Sequence, residues 1–195
     1  MRPDYVIDAC RVGHRRLVGA MAPLSAEELQ SPSLLPGYTR RHVVAHVINK
    51  TKAHIWLFGG PPAGEVRRLH PDGYDADRAA EAGAARSTGE LLTDLAQSFE
   101  QLEAAWDTLT DGMWTQAGIM TAGLRTMPEI VVHHLRNVEV HSVDLDIGYR
   151  PSDWPAVFVE TELPKRLNAL PHRAEHVDLL AWLLGRAPAP DLGPW

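Results

Sequence analysis

Ten histidines punctuate this 195-residue chain, and two groups of polar side chains stand at helical spacing. His42 and His46 are four residues apart, and His133, Asn137 and His141 follow one another at the same interval. On an α-helix each group falls along one face. A neutral imidazole offers a nitrogen lone pair, so such residues bind divalent metals or move protons. A catalytic zinc-type centre needs three nitrogen or oxygen ligands and an open position, and helical bundles assemble such centres from facing helices. Chance also yields this spacing in a chain so rich in histidine, and it leaves open both a metal site and two ordinary helix faces. The single cysteine, Cys10, cannot form an intramolecular disulfide, and its amphipathic surroundings mark it as a small buried hydrophobe rather than a nucleophile.

Helices must position these groups, and the apolar pattern supplies four long ones. Val6, Ile7, Cys10, Leu17, Ala20 and Met21 form one stripe over a helix from about Asp4 to Met21. After the polar stretch SAEELQSPSLLPG, Thr39 is the expected N-cap of a second helix from Arg40 to Phe58, which carries His42 and His46 and is stopped by Gly59-Gly60 and Pro61-Pro62. Residues 59 to 86 form a long connection, with a short helix around Ala76 to Ala85, able to cover a site. Ser87 and Glu90 make a capping box before the stripe Leu91, Leu92, Leu95, Phe99, Leu102, Trp106 and Leu109. Thr126, Pro128 and Glu129 open the fourth helix, expected to run to Gly148. Two shorter helices follow, around Ala156 to Leu170 and Ala174 to Leu184, and Trp154, Trp182 and Trp195 are expected as packing anchors. No repeat and no alternating strand pattern is visible. The expected fold is all-α: a four-helix bundle over residues 1 to 150 with a short helical C-terminal extension over 151 to 195.

Composition narrows the function classes. The hydrophobic fraction of 45% and charged fraction of 23% are those of an ordinary globular domain, and the length suits one core rather than two. With 25 acids against 19 bases the net charge is -6, and the pairs Arg15-Arg16, Arg40-Arg41 and Arg67-Arg68 are too dispersed to track a phosphate backbone, which argues against nucleic acid as a partner. The first residues lack the apolar run of a signal peptide and no segment approaches a membrane span, so a cytosolic protein without a membrane partner is expected.

Three stretches, LPGYTRRHVVAHV at 35 to 47, TAGLRTMPEIVVHHLRNVEVHSVDLDIGYRPSDWP at 121 to 155 and VDLLAWLLGRAP at 177 to 188, resemble in order the mycothiol-dependent maleylpyruvate isomerases and the wider DinB-like thiol transferases. The most specific parts are the Pro-Gly-aromatic-Thr leader before His46 and the Arg-x-x-x-Val-His-x-x-Asp-Leu string at 136 to 145. The resemblance implies a DinB-like four-helix bundle and a divalent metal, zinc first, held by the second leader histidine and by a Glu and a His four residues apart on the later helix. The matching positions are His46, Asn137 and His141. Asn137 stands where the family has a carboxylate, and its neutral amide is a poorer donor, so metal affinity is expected to fall or vanish. Glu139 lies about 200° around the helix from Asn137, which points it to a surface ion pair, and His133 lies about 12 Å along the axis from His141. His42 is expected to hydrogen-bond near its helix start, and Asp144 to orient His141 or to pair with an arginine such as Arg136.

By the same resemblance the open metal position takes the thiol of mycothiol or a similar low-molecular-weight cofactor. The protein is then an isomerase or S-transferase for a small electrophilic substrate, with His46, Asn137 and His141 as its catalytic set. Two other readings stay open: a metal-independent enzyme with His46 and His141 as acid and base and Asn137 as hydrogen-bond donor in a specialised biosynthetic or detoxifying step, and a non-catalytic small-molecule binding module. The C-terminal segment is shorter than the family's C-terminal domain. A homodimer through an exposed helix stripe is compatible with the sequence but not demanded by it.

Overall fold

Caps divide the chain into its elements. In the computed structural model, which describes residues 1–59 and 66–193, the helices are α1 Asp4–Met21, α2 Ala26–Gln30, α3 Arg40–Phe58, α4 Ala76–Ala84, α5 Thr88–Thr108, α6 Asp111–Trp114, α7 Met127–Asp144, α8 Ala156–Ala169 and α9 His176–Leu183. Gly60, Pro61, Pro62 and Trp195, invoked above as a helix stop and an anchor, lie outside the described residues. The capping boxes form as read: Ser87 with Glu90 opens α5, and Thr126 with Glu129 opens α7. At α3 the box is Thr39 with His42, whose Nδ1 accepts the Thr39 backbone N–H. No helix among the described residues is long and apolar enough to cross a membrane.

Residues 1–155 and 156–195 form two units. In the first, α1 packs on α5 and α7, and α3 packs on the same two helices, so α1 and α3 are diagonal partners in a four-helix bundle. Leu17 and Met21 of α1, Val44 and Ile48 of α3, Leu91, Leu95 and Phe99 of α5 and Val138 of α7 fill its core, closed by Leu29 of α2. Each such side chain contributes roughly 1.5–3 kcal/mol by leaving water. In the second unit, Glu162 of α8 accepts from Lys165 and Arg166 one turn on.

Three details depart from the sequence expectation. A hairpin of β1 Ala117–Met120 and β2 Gly123–Thr126 precedes α7, paired from Ala117 with Thr126 to Met120 with Gly123. Its strands are too short for alternation to stand out, and its turn is set by Gly123 at φ +96. Gly118 is a close approach: a Cβ there would lie 3.1 Å from Leu57 and 3.3 Å from Ile130. The short α2, opened by a Ser25 and Glu28 capping box, stands in the polar stretch before Thr39, for which no helix was read. Finally, α7 stops at Asp144 rather than Gly148, because its last carbonyls have other partners: Leu34 N–H donates to Asp144, and the Arg40 guanidinium donates to Leu145 and Asp146 at 2.8 and 2.9 Å.

Candidate functional site

Arg40 ties the start of α3 to the end of α7, and the two helices run antiparallel from that tie. His46 meets His141 with ring centroids 4.8 Å apart, edge to face. Eight residues further along α3, His54 meets His133 at 5.5 Å. The register therefore sets Lys50 opposite Asn137 on the rung between them. This polar column is the candidate site.

His141 Nδ1 donates to Asp144 at 2.8 Å, which fixes the ring and leaves Nε2 as the free nitrogen. Burial, then the neighbouring His141 and Lys50, push the His46 pKa down to about 4, so this imidazole is neutral at physiological pH. Asp77 and Asp144 act the other way. Asp77 also accepts the Tyr38 hydroxyl at 2.5 Å, which pushes that phenol up to about 12. Asn137 is 6% exposed, and its Nδ2 has no hydrogen-bond partner. Burial, and then Arg136, lower the pKa of Lys50.

The remaining candidates are committed elsewhere. His42 caps α3 through Nδ1 and donates from Nε2 to Glu81 at 2.8 Å. His133 faces His54 rather than His141. Glu139 does point away from His141, but it is no surface ion pair: it is fully buried, takes Arg16 at 3.0 Å on both oxygens and accepts the Tyr149 hydroxyl. Its helix face packs on α1, where the apolar stripe gave no sign of Arg16 as its partner. Cys10 is fully buried and burial pushes its thiol pKa far up, as befits a core residue.

Sequence inspection missed a second histidine set. Glu103 Oε1 pairs with His14 Nδ1 at 2.6 Å, His14 Nε2 with His134 Nε2 at 2.8 Å, and His134 Nδ1 with His54 Nδ1 at 3.0 Å. The four residues come from α5, α1, α7 and α3, one from each bundle helix. Two signals were available: His14 lies within the apolar stripe of α1, and His54 is two turns beyond His46.

A divalent ion finds part of its donor set here. With metal–nitrogen distances of about 2.0–2.1 Å, two imidazoles on one tetrahedral ion have ring centroids roughly 5 Å apart, close to the observed His46 and His141 spacing. The Asp144 to His141 bond is the outer support such a ligand uses. Asn137 brings an amide in place of a charge, and no three His, Cys, Asp or Glu side chains among the described residues converge as a metal set. The residues fit a site of two imidazoles and one amide oxygen, weaker than one with a carboxylate. A cavity of about 680 Å³ lies on a neighbouring face of α3 between Asn49, Trp56, His70, Tyr74 and Ala79, and none of His46, Asn137 and His141 lines it.

A family model described as the mycothiol maleylpyruvate isomerase N-terminal domain matches residues 10–146. No curated protein matches the chain in sequence. Among solved structures, the mycothiol-dependent maleylpyruvate isomerase superposes with a TM-score of 0.75 at 23% identity over 81% of this chain and 66% of that one. A point mutant of it gives 0.75 at 22% with the same coverage. YfiT from Bacillus subtilis, described as a probable metal-dependent hydrolase with an unusual four-helix bundle topology, gives 0.61 at 18% over 78% of this chain and 88% of that one. These likenesses show the bundle fold, and the chain spans just under two thirds of the isomerase's length.

Proposed function

Since the chain belongs to the mycothiol maleylpyruvate isomerase N-terminal-domain family, we propose that it is a cytosolic thiol-dependent isomerase or S-transferase acting on a small electrophile at His46, Asn137 and His141. The observation that supports this reading best is the facing of two imidazoles across α3 and α7, one held by a carboxylate and the other kept neutral by burial. A divalent metal, zinc by the character of the nitrogen donors, would be held by His46 and His141 with Asn137 as third donor, and would supply an ionised thiol at neutral pH. A bound mycothiol would supply the nucleophile for a conjugated double bond, which is why the chain needs no reactive cysteine of its own.

The chain's own groups have separable tasks. Asp144 keeps the proton of His141 on Nδ1, so Nε2 is presented to the site. His46, uncharged, neither repels a cation nor donates a second proton. Asn137 Nδ2, buried and without an acceptor, is available to a substrate oxygen on which negative charge develops. The amide at 137 favours one further reading, in which His46 and His141 act as acid and base without metal.

Elemental analysis of protein purified without chelator, combined with turnover of maleylpyruvate in the presence of mycothiol, tests the proposal. Near-stoichiometric metal that His141→Ala abolishes, with at least a hundredfold loss of turnover, is the expected result. Turnover without metal would favour the acid–base reading. Neither turnover nor mycothiol binding would leave a small-molecule binder and sink the enzyme proposal.

A further inference from the structure

The chain from Glu103 to His54 has a direction, and that direction follows from its ends. A carboxylate only accepts, so the proton between Glu103 and His14 sits on His14 Nδ1. Burial lowers the pKa of His14, His134 and His54, so each ring is neutral and carries a single proton. His14 Nε2 must therefore accept from His134 Nε2–H, and His134 Nδ1 from His54 Nδ1–H. What remains is a bare lone pair on His54 Nε2, buried and without a partner. The outer end differs: the Glu103 side chain is 28% exposed, beside Arg11 at 3.6 Å. Phe99 stacks on His14 at 4.0 Å and Trp106 flanks His14 and His134, which keeps the middle of the chain dry.

We propose that Glu103, His14, His134 and His54 form a proton relay that crosses all four bundle helices, taking a proton at His54 Nε2 and delivering it to solvent at Glu103. A network serving only to brace the bundle would end in a satisfied group at its buried end; this one ends in an open acceptor. When a proton binds His54 Nε2, the Nδ1 proton of His54 moves to His134 Nδ1. The Nε2 proton of His134 then moves to His14 Nε2, and the Nδ1 proton of His14 moves to Glu103, which passes it to water; the freed carboxylate then turns from the bare Nδ1 to Arg11, which already lies 3.6 Å from it. All three rings finish neutral in the opposite tautomer, and the reverse passage restores them. His54 faces His133 and lies within electrostatic range of Lys50 and His70. Lys50, one turn from His54 and one turn from His46, lies between this inner end and the candidate site. The relay's role rests on the thiol-dependent reading: a thiol that ionises on binding and regains its proton on leaving requires one outward and one inward passage per cycle.

The test is imidazole nitrogen–proton correlation NMR on the full chain, alone and with mycothiol, alongside calorimetry in two buffers to count released protons. In the free protein the expected tautomers are Nδ1–H for His14, Nε2–H for His134 and Nδ1–H for His54; any other resting order overturns the relay. On adding mycothiol, one proton per thiol is released and all three tautomers reverse together. In Glu103→Gln mycothiol still binds but the tautomers stay fixed, because an amide oxygen accepts a hydrogen bond and cannot carry the proton onward. Mycothiol binding without reversal in the unmodified protein, or reversal undiminished in Glu103→Gln, overturns the relay alone. Absence of mycothiol binding overturns the functional reading and the relay's role with it.

Discussion

Acid should unfold this bundle earlier than its carboxylates would dictate. His54 and His134 are fully buried and their pKa values lie well below the ordinary histidine value, chiefly through burial. In the unfolded chain both titrate near 6.5. Below that pH the unfolded state binds protons that the folded state refuses, so stability falls as pH falls and recovers above it. Each such group costs up to about 1 kcal/mol per pH unit there, so the two together cost on the order of 2 kcal/mol between pH 6 and 5. Against a total stability of roughly 5–15 kcal/mol this is a large fraction. Urea unfolding followed by circular dichroism at half-unit steps from pH 7.5 to 5 measures it directly. In His134→Leu the slope should fall by one group's share, since His14, His46 and His54 still refuse protons, and the protein should lose about 1–3 kcal/mol at pH 7.5 for each group left unpartnered on His14 and His54. A midpoint that stays flat from pH 7 to 5 would refute the assignment of these rings as neutral.

Asn137→Glu restores a carboxylate beside two imidazoles and should tighten zinc binding about 10- to 100-fold, read by competition with a chromophoric chelator; unchanged affinity would place position 137 outside any metal site. Removing the acid of the buried Arg16 and Glu139 pair, as in Glu139→Ala, should cost about 3–5 kcal/mol in chemical denaturation, because it strands Arg16 and the Tyr149 hydroxyl. Gly83→Ala should destabilise by about 1–3 kcal/mol despite the better helix propensity of alanine, since the added Cβ would lie 2.6 Å from that of Ala45, and a gain in melting temperature would contradict the close packing of α4 on α3.

Local chemistry made the long helices legible. Thr39, Ser87 with Glu90 and Thr126 with Glu129 announce their own hydrogen bonds, so α3, α5 and α7 begin where the caps stand. The end of α7 was not legible, because its stop depends on Arg40, which lies more than a hundred residues earlier in the chain. The pairing of His46 with His141 came through a family resemblance; spacing alone could not say which faces meet. The chain from Glu103 to His54 was beyond sequence inspection for the same reason, since each of its members comes from a different helix and none is near another in sequence. Glu139 illustrates the converse error: an acid off the apolar stripe reads as exposed until its arginine is seen across the interface.

The ties at the two ends of α3 give its length an uneven tolerance. Arg40 pins the first turn to the end of α7, while His54 is bound into the cross-bundle chain through His134. At 1.5 Å per residue the anchored points are about 21 Å apart, and His46 lies about 9 Å from the first. The midpoint of that span, about 10.5 Å from either end, is Val47, so a helix held at its two ends has most room to bow next to His46 and least at His54. The spacing of His46 from His141 therefore depends on how α3 packs along its middle, whereas His54 is held by its own hydrogen bond.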